Sequence, residues 1–204
     1  NSLISETILT NTLVAAGTKR FWPKTTAVTQ NDALAGVTTS TSLEYDTYAN
    51  VTKQTVTIPN VQTTETTTIF ESFPGSIPNK PTSIKVKSTR SGEAAYETTT
   101  TFAYNTKAQL TNKVEFSGLT SSVTTTYGYN TLGNLTTTTI SAPGVSNRSV
   151  SSIFDTKGRY PIENTNEMGY KSTTQYDSKW GVPTETKGID DITTTFEYDA
   201  FGRL

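Results

Sequence analysis

The chain has 204 residues, 32% of them hydrophobic, and a formal net charge of −1. It contains no histidine and no cysteine, which removes the commonest general base, the commonest metal ligand, thiolate chemistry and disulfides together. Near-neutral charge with regularly recurring Tyr and Phe argues against disorder, the lack of a basic patch against nucleic acid, and the lack of any apolar run near about 20 residues against a membrane span.

Close to one residue in five is threonine, which is stiff at χ1 and suits a pleated, half-buried surface. The composition predicts an ordered all-β protein with a thin core. The N-terminus, Asn1-Ser2-Leu3-Ile4-Ser5-Glu6, has neither an initiating Met nor a basic leader, and reads as the interior of a longer chain. Residues 1–40 form a lead-in segment, expected to be β with degenerate repeats. Leu13-Val14-Ala15 and Ala27-Val28-Thr29 are its candidate strands, and Phe21-Trp22-Pro23 a buried aromatic corner.

Residues 41–204 form a repeat array. Its copies lead with Tyr45-Asp46, Tyr104-Asn105, Tyr129-Asn130, Phe154-Asp155, Tyr176-Asp177 and Tyr198-Asp199. The steps between leaders, in chain order, are 59, 25, 25, 22 and 22 residues. A degenerate copy at Phe70-Glu71-Ser72-Phe73-Pro74-Gly75 divides the long step. A fixed period of this size means an array of structural units, not a globule around one site.

The unit is read best from 124 to 139. Thr124 to Tyr129 is a strand with Thr125, Tyr127 and Tyr129 on one face, by the period of two. Asn130-Thr131-Leu132-Gly133 is a tight turn. Its first residue bonds the backbone two residues on, and Gly133 takes positive φ, as in a type I turn followed by a left-handed bulge residue. Leu135, Thr137 and Thr139 then alternate along the returning strand, which ends at a second turn, Ala142-Pro143-Gly144. Asn166-Glu167-Met168-Gly169 and Lys187-Gly188-Ile189-Asp190 supply further alternate turns.

Gly158, Gly181 and Gly202 hold the place of Gly133 in later copies. Ala49 and Ala108 stand there in two others, so those turns are expected to differ in geometry. Trp180 displaces Gly181 by one position. Prolines in Ile77-Pro78-Asn79-Lys80-Pro81-Thr82 and Trp180-Gly181-Val182-Pro183-Thr184 belong at strand starts, edges or bulges, since proline cannot donate to a ladder.

The copy Tyr198-Asp199-Ala200-Phe201-Gly202-Arg203-Leu204 resembles the YD repeat of bacterial Rhs proteins, toxin-complex B-like proteins and teneurins. Tyr129-Asn130-Thr131-Leu132-Gly133-Asn134-Leu135 and Phe154-Asp155-Thr156-Lys157-Gly158-Arg159-Tyr160 are similar to it. The resemblance covers about residues 41–204, and the lack of cysteine favours the bacterial branches. It implies serial antiparallel hairpins winding into a curved, spiralling sheet, a panel of a hollow shell that in many members encloses a C-terminal effector. The autoproteolytic aspartates of the family's C-terminal core segment have no counterpart here. About 12 to 14 strands at about 4.8 Å each make a sheet roughly 60 Å wide. Closed on itself it would be too narrow for a cargo whose radius of gyration is about 13 Å. The chain is therefore a wall panel and not a container.

Other readings weigh less. Asp190-Asp191 with Glu185 is simpler as a turn than as a cation site, which needs many oxygen ligands. Asp46, Asp155, Asp177 and Asp199 recur as turn formers on one rim, not as carboxylates facing across a bond. Trp22 and Trp180 suggest a sugar platform, whereas the tyrosines read as a ladder packed over the turns. The sequons at Asn50, Asn134 and Asn147 are chance in so Thr- and Asn-rich a chain.

The functional expectation is a structural shell segment of a larger bacterial protein, secreted or at the cell surface, without catalytic residues, metal or cofactor. Its partners are neighbouring repeats and a C-terminal effector of the same polypeptide, together with a toxin-complex or secretion partner protein. A cell-surface adhesin or carbohydrate-binding module is the alternative.

Overall fold

The structure is a computed structural model that describes residues 4–17, 20–71 and 79–204, with backbone alone for 14–17 and 20–22. It is all-β, and its fifteen strands fall in two compact units. The first takes residues 1–108 and 115–119, the second residues 109–114 and 120–204. Within each unit the strand order is the chain order and every register is antiparallel.

Unit 1 holds β1 (Ser5–Gly17), β2 (Arg20–Asp32), β3 (Val37–Tyr45), β4 (Val51–Ile58), β5 (Gln62–Glu71), β6 (Lys80–Arg90) and β7 (Tyr96–Tyr104). Unit 2 opens with β8 (Leu110–Glu115), whose last residue counts with unit 1. It continues through β9 (Val123–Tyr129), β10 (Leu135–Ser141), β11 (Arg148–Phe154), β12 (Pro161–Thr165), β13 (Lys171–Tyr176), β14 (Pro183–Lys187) and β15 (Thr193–Thr195).

The lead-in segment carries two full strands, which take the count past the 12 to 14 expected. Leu13-Val14-Ala15 lies in β1 and Ala27-Val28-Thr29 in β2. Residue 40 sits inside β3 and not at a junction. Pro23 of the expected aromatic corner is exposed, while the side chains of Phe21 and Trp22 lie outside the description. Of the degenerate copy, Phe70 and Glu71 end β5, and its remaining residues are outside the described ones.

Among the described residues, strands within a unit touch only their chain neighbours. Among the described residues no hydrophobic side chain is buried, and Thr125 alone reaches 9% exposure. The chain exposes 13956 Å², against about 9,300 Å² for a compact monomer of its mass.

A β-bulge follows five of the leaders. Tyr129 faces Leu135 but Gly128 faces Thr137, which leaves Thr136 as the extra residue. The same shift recurs where Tyr45 faces Val51 and Glu44 faces Lys53, where Phe70 faces Pro81 and Ile69 faces Ser83, where Phe154 faces Pro161 and Ile153 faces Glu163, and where Tyr176 faces Pro183 and Gln175 faces Glu185. One extra residue reverses which side chains point which way. The expected alternation of Leu135, Thr137 and Thr139 is thus overturned. Leu135 shares a face with Tyr129, while Thr137 and Thr139 lie on the other. Pro81, Pro161 and Pro183 sit where the bulge begins, at sites that need no ladder donor.

With this register, the faces of β3–β7 separate by chemistry. One carries all the leader aromatics together with Leu43, Val56, Ile58, Ile84, Val86 and Phe102, and its one charged strand residue among those described is Arg90. The other carries Glu44, Lys53, Glu65, Glu71, Lys80, Lys85, Lys87 and Glu97. Ion pairs cross the strands there, Lys53 to Glu65 at 2.8 Å and Lys85 to Glu97 at 2.6 Å.

Candidate functional site

The chemistry of the repeat is concentrated in its turns. In the turn after Tyr129, Gly133 N donates to Asn130 O at 3.1 Å, and Asn130 N to Asn134 O at 3.0 Å. Asn130 Oδ1 accepts from Leu132 N and Asn134 N, and Gly133 has φ 93°. This is a type I turn ending in a left-handed residue, with the leading Asx side chain satisfying two amides that the turn leaves without a backbone acceptor.

Asp46, Asp155 and Asp199 hold the same place, each accepting two backbone N–H groups on Oδ1. Asn105 Oδ1 accepts from Lys107 N. The alternate turn at Asn166 repeats the pattern, with Met168 N and Tyr170 N donating to Asn166 Oδ1. The turn expected at Lys187 runs instead from Gly188 to Asp191, where Asp191 N donates to Gly188 O.

Ala49 and Ala108 do not change the geometry. Their φ values are 75° and 59°, and each amide donates to the leading Asx carbonyl. The hydrogen bonds and the bulge over-determine the conformation and hold an L-residue where it is strained. In the Asp177 copy the extra residue widens the ring by one. Gly181 N donates to Asp177 O across four residues, and Lys179 N and Trp180 N donate to Oδ1.

The other Asx oxygen depends on the residue four places on. Asp155 Oδ2 accepts from Arg159 Nε at 3.2 Å and its terminal nitrogen at 3.1 Å. Arg203 grips Asp199 in the same way, at 2.7 and 2.6 Å, and Asn50 donates to Asp46 Oδ2 at 2.8 Å. Burial opposes ionisation of Asp46, yet the side chain and backbone of Asn50, helped by the Tyr48 amide and Lys24, hold its pKa below the ordinary 3.8. For Asp155 burial is again the largest influence, overcome by the Arg159 and Tyr160 amides and the Arg159 guanidinium. Asp199 is lowered first by the Arg203 amide and then by its side chain.

In unit 2 side chains also link successive leader turns. Gln109 Nε2 donates to Gly133 O at 3.0 Å, and Asn134 Nδ2 to Gly158 O at 2.7 Å. Tyr160 occupies the space beside Gly181 where a Cβ would sit, and the Trp180 ring does the same 3.2 Å from a Cβ position on Gly202. Tyr160 stacks on Tyr176 at 4.7 Å between ring centroids. These four linking side chains are ones that sequence reading did not single out as links. Their shared signal is position, one residue from the left-handed residue or, for Tyr160, two.

Three leader tyrosines reach back along the array. Their hydroxyls bond back to the preceding strand, Tyr45 to Thr25 O at 2.8 Å, Tyr104 to Pro81 O at 2.9 Å and Tyr129 to Leu110 O at 2.9 Å. Phe154 lacks that hydroxyl. Leu135 is 43% exposed and Leu204 84% exposed, beyond the last strand.

Among the described residues no group of three potential ligands is placed to hold a metal ion. Asp191 pairs with Lys187 at 2.8 Å, and Glu185 accepts from Gln175 at 2.8 Å. Asn134, one sequon residue, spends its amide on Gly158. Trp180 packs beside Gly202, has the Lys179 ammonium 4.5 Å from its ring centroid, and is 44% exposed.

No protein family profile matches the chain, and no curated protein matches it by sequence. Solved structures do. The crystal structure of TcdB2-TccC3 superposes with a TM-score of 0.68 at 9% identity, and that of TcdB2-TccC3-TEV with 0.71 at 9%. Each comparison covers 98% of this chain and 15% of the other, so the chain spans a small part of those proteins' length. The fold is therefore the Rhs-type all-β fold of the TcdB2-TccC3 structures, in agreement with the likeness to YD repeats read from Tyr198 to Leu204.

Proposed function

We propose that the chain is a structural YD-repeat segment of a larger bacterial Rhs or toxin-complex-like protein, where it helps wall off or present a C-terminal effector. The observation that carries this reading is an antiparallel meander without a buried hydrophobic side chain among its described residues, 98% of whose length follows a short stretch of TcdB2-TccC3. A sheet with no core is useful as part of an enclosure and poor as a free-standing catalyst. The carboxylates that recur along the chain are committed to turns, and His and Cys are missing from the sequence, which supports a role without catalysis. Neighbouring repeats, the effector and a toxin-complex partner are its proposed contacts, and secretion or display on a bacterial cell its proposed setting.

The test is limited proteolysis of the longer polypeptide with and without these residues. Protection of the C-terminal region that disappears on deletion supports an enclosing role. Equal digestion of both overturns it.

A further inference from the structure

We propose that unit 2 carries a binding site for a neutral saccharide, in a cavity over β11, β12 and β13. Ser152 stands opposite Asn164, and Asn164 opposite Ser172, so the three side chains make one polar row across the three strands. Val150, Tyr170 and, from the turn between β14 and β15, Ile189 join them around a cavity of about 340 Å³. That lies at the low end of small-molecule sites, which run from about 300 to 1,000 Å³.

The lining selects the ligand. Nine residues line the cavity and none is charged. The charges of the surrounding turns and strands are spent on one another, Arg148 with Glu167 at 4.0 Å, Lys171 with Glu163 at 2.7 Å and Lys187 with Asp191 at 2.8 Å. A charged ligand would give up water there without an opposite charge to meet. The lining is nevertheless rich in hydrogen-bonding groups. Asn164 Oδ1 accepts from Ser152 Oγ at 2.7 Å, which aims the amide and leaves both Nδ2 donors to a ligand. Among the described residues the hydroxyls of Tyr170 and Ser172 also have no hydrogen-bond partner. Tyr170 is 50% exposed, and the bonds of its own N–H and C=O to Asn166 fix its place in the turn. An aromatic ring with a polar tip, beside an amide and hydroxyls, suits a pyranose, which has an apolar C–H face and a rim of hydroxyls.

Saturation-transfer NMR on the 204-residue chain tests the inference, with maltose, cellobiose, lactose and diacetylchitobiose as probes and circular dichroism to verify folding. At least one is expected to bind with a Kd of about 1 mM. Tyr170→Ala keeps the backbone bonds of the turn and should weaken binding about 10-fold or more. Asn164→Asp keeps the acceptor for Ser152, removes the amide donors, and should do the same. Ile153→Ala, on the opposite face of β11 where Ile153 is 53% exposed, should leave binding unchanged.

The inference is overturned if none of the four disaccharides binds, or if binding survives both Tyr170→Ala and Asn164→Asp. Loss with Trp180→Ala alone overturns it by moving the site to that ring. Preference for a sulfated disaccharide, or for a neutral Gly-Ser peptide, overturns the ligand class. None of these results touches the shell reading, which rests on protection of the effector region.

Discussion

The two units apply one turn motif to strands of different length, and they are stabilised differently as a result. The strands of unit 1 run from 8 to 13 residues, and ion pairs such as Lys53 to Glu65 tie neighbouring strands together. At its leader turn Asp46 and Asn50 close on each other. The strands of unit 2 run from 3 to 7 residues, with fewer ladder bonds apiece. There the turns themselves are coupled, Gln109 to Gly133, Asn134 to Gly158, Tyr160 to Gly181 and Trp180 to Gly202. Where the ladder is short, order is carried along the rim.

The largest expected effect breaks that rim. Gly181 has φ 68°, and a Cβ there meets the Tyr160 ring, which cannot move aside without leaving its stack on Tyr176. Gly181→Ala is expected to destabilise by about 2–4 kcal/mol, from left-handed strain plus overpacking. Gly92 in unit 1 has φ 81° and nothing within 4 Å, so Gly92→Ala should cost only about 1–2 kcal/mol. Urea unfolding of both variants decides, and equal costs would sink the claim of coupled turns.

A smaller effect tests a single link between turns. Asn134→Ala removes a donor from Gly158 O and is expected to cost about 1 kcal/mol. Amide exchange should then quicken in the Asp155 turn, in the next repeat. Confinement of the Asn134→Ala effect to residues 130–135 would contradict the link.

Ala49→Gly and Ala108→Gly are expected to stabilise by about 0.5–1 kcal/mol each, since relief of left-handed strain exceeds the added freedom of the unfolded chain. A rise in thermal midpoint checks this, and a fall would show that neither alanine is strained.

The gentlest probe is acid. The folded-state pKa values of Asp46, Asp155 and Asp199 lie below 3.8, so their contribution is fully present above the unfolded value and is lost as pH falls through the lower folded values. Stability should be flat from pH 7 to about 5 and decline below about 4. Asp155→Asn with Asp199→Asn should make the decline shallower, because those turns then resemble the Asn130 turn. An identical acid limb in the variant would rule this out.

Much of this was legible beforehand, because turn chemistry is local. Asn130 through Gly133 specify their own geometry with few outside contacts, and the period of the leaders reveals the array. The faces were not legible. Simple alternation from Leu135 puts Thr137 beside it, while the bulge at Thr136 sends Thr137 to the opposite side. A threonine stands at that extra position in the turns after Tyr45, Phe70, Tyr129 and Tyr176, and threonine is too common here to be noticed. Reading past each turn without the extra residue mixes the two faces and makes both look semi-polar. The links were hidden for a different reason. Gln, Asn, Tyr and Trp fill one role through unlike chemistry, so only their position relative to the glycine is shared. Ala49 and Ala108 misled because the expected geometry was tied to residue type, whereas the surrounding bonds enforce it.

Strands that touch only their chain neighbours have a consequence for how such a chain grows and shrinks. Among the described residues, strand contacts within a unit run between chain neighbours, which means low contact order and assembly that can start at any hairpin and spread to both sides. One leader-to-leader length, such as 154–175, begins and ends at the same point of the turn. Removing it should bring Tyr176 into the place of Phe154, with face and bulge phase unchanged. The length of the sheet is thus a quantity adjustable in whole repeats, and its two chemically distinct sides stay in phase through each adjustment.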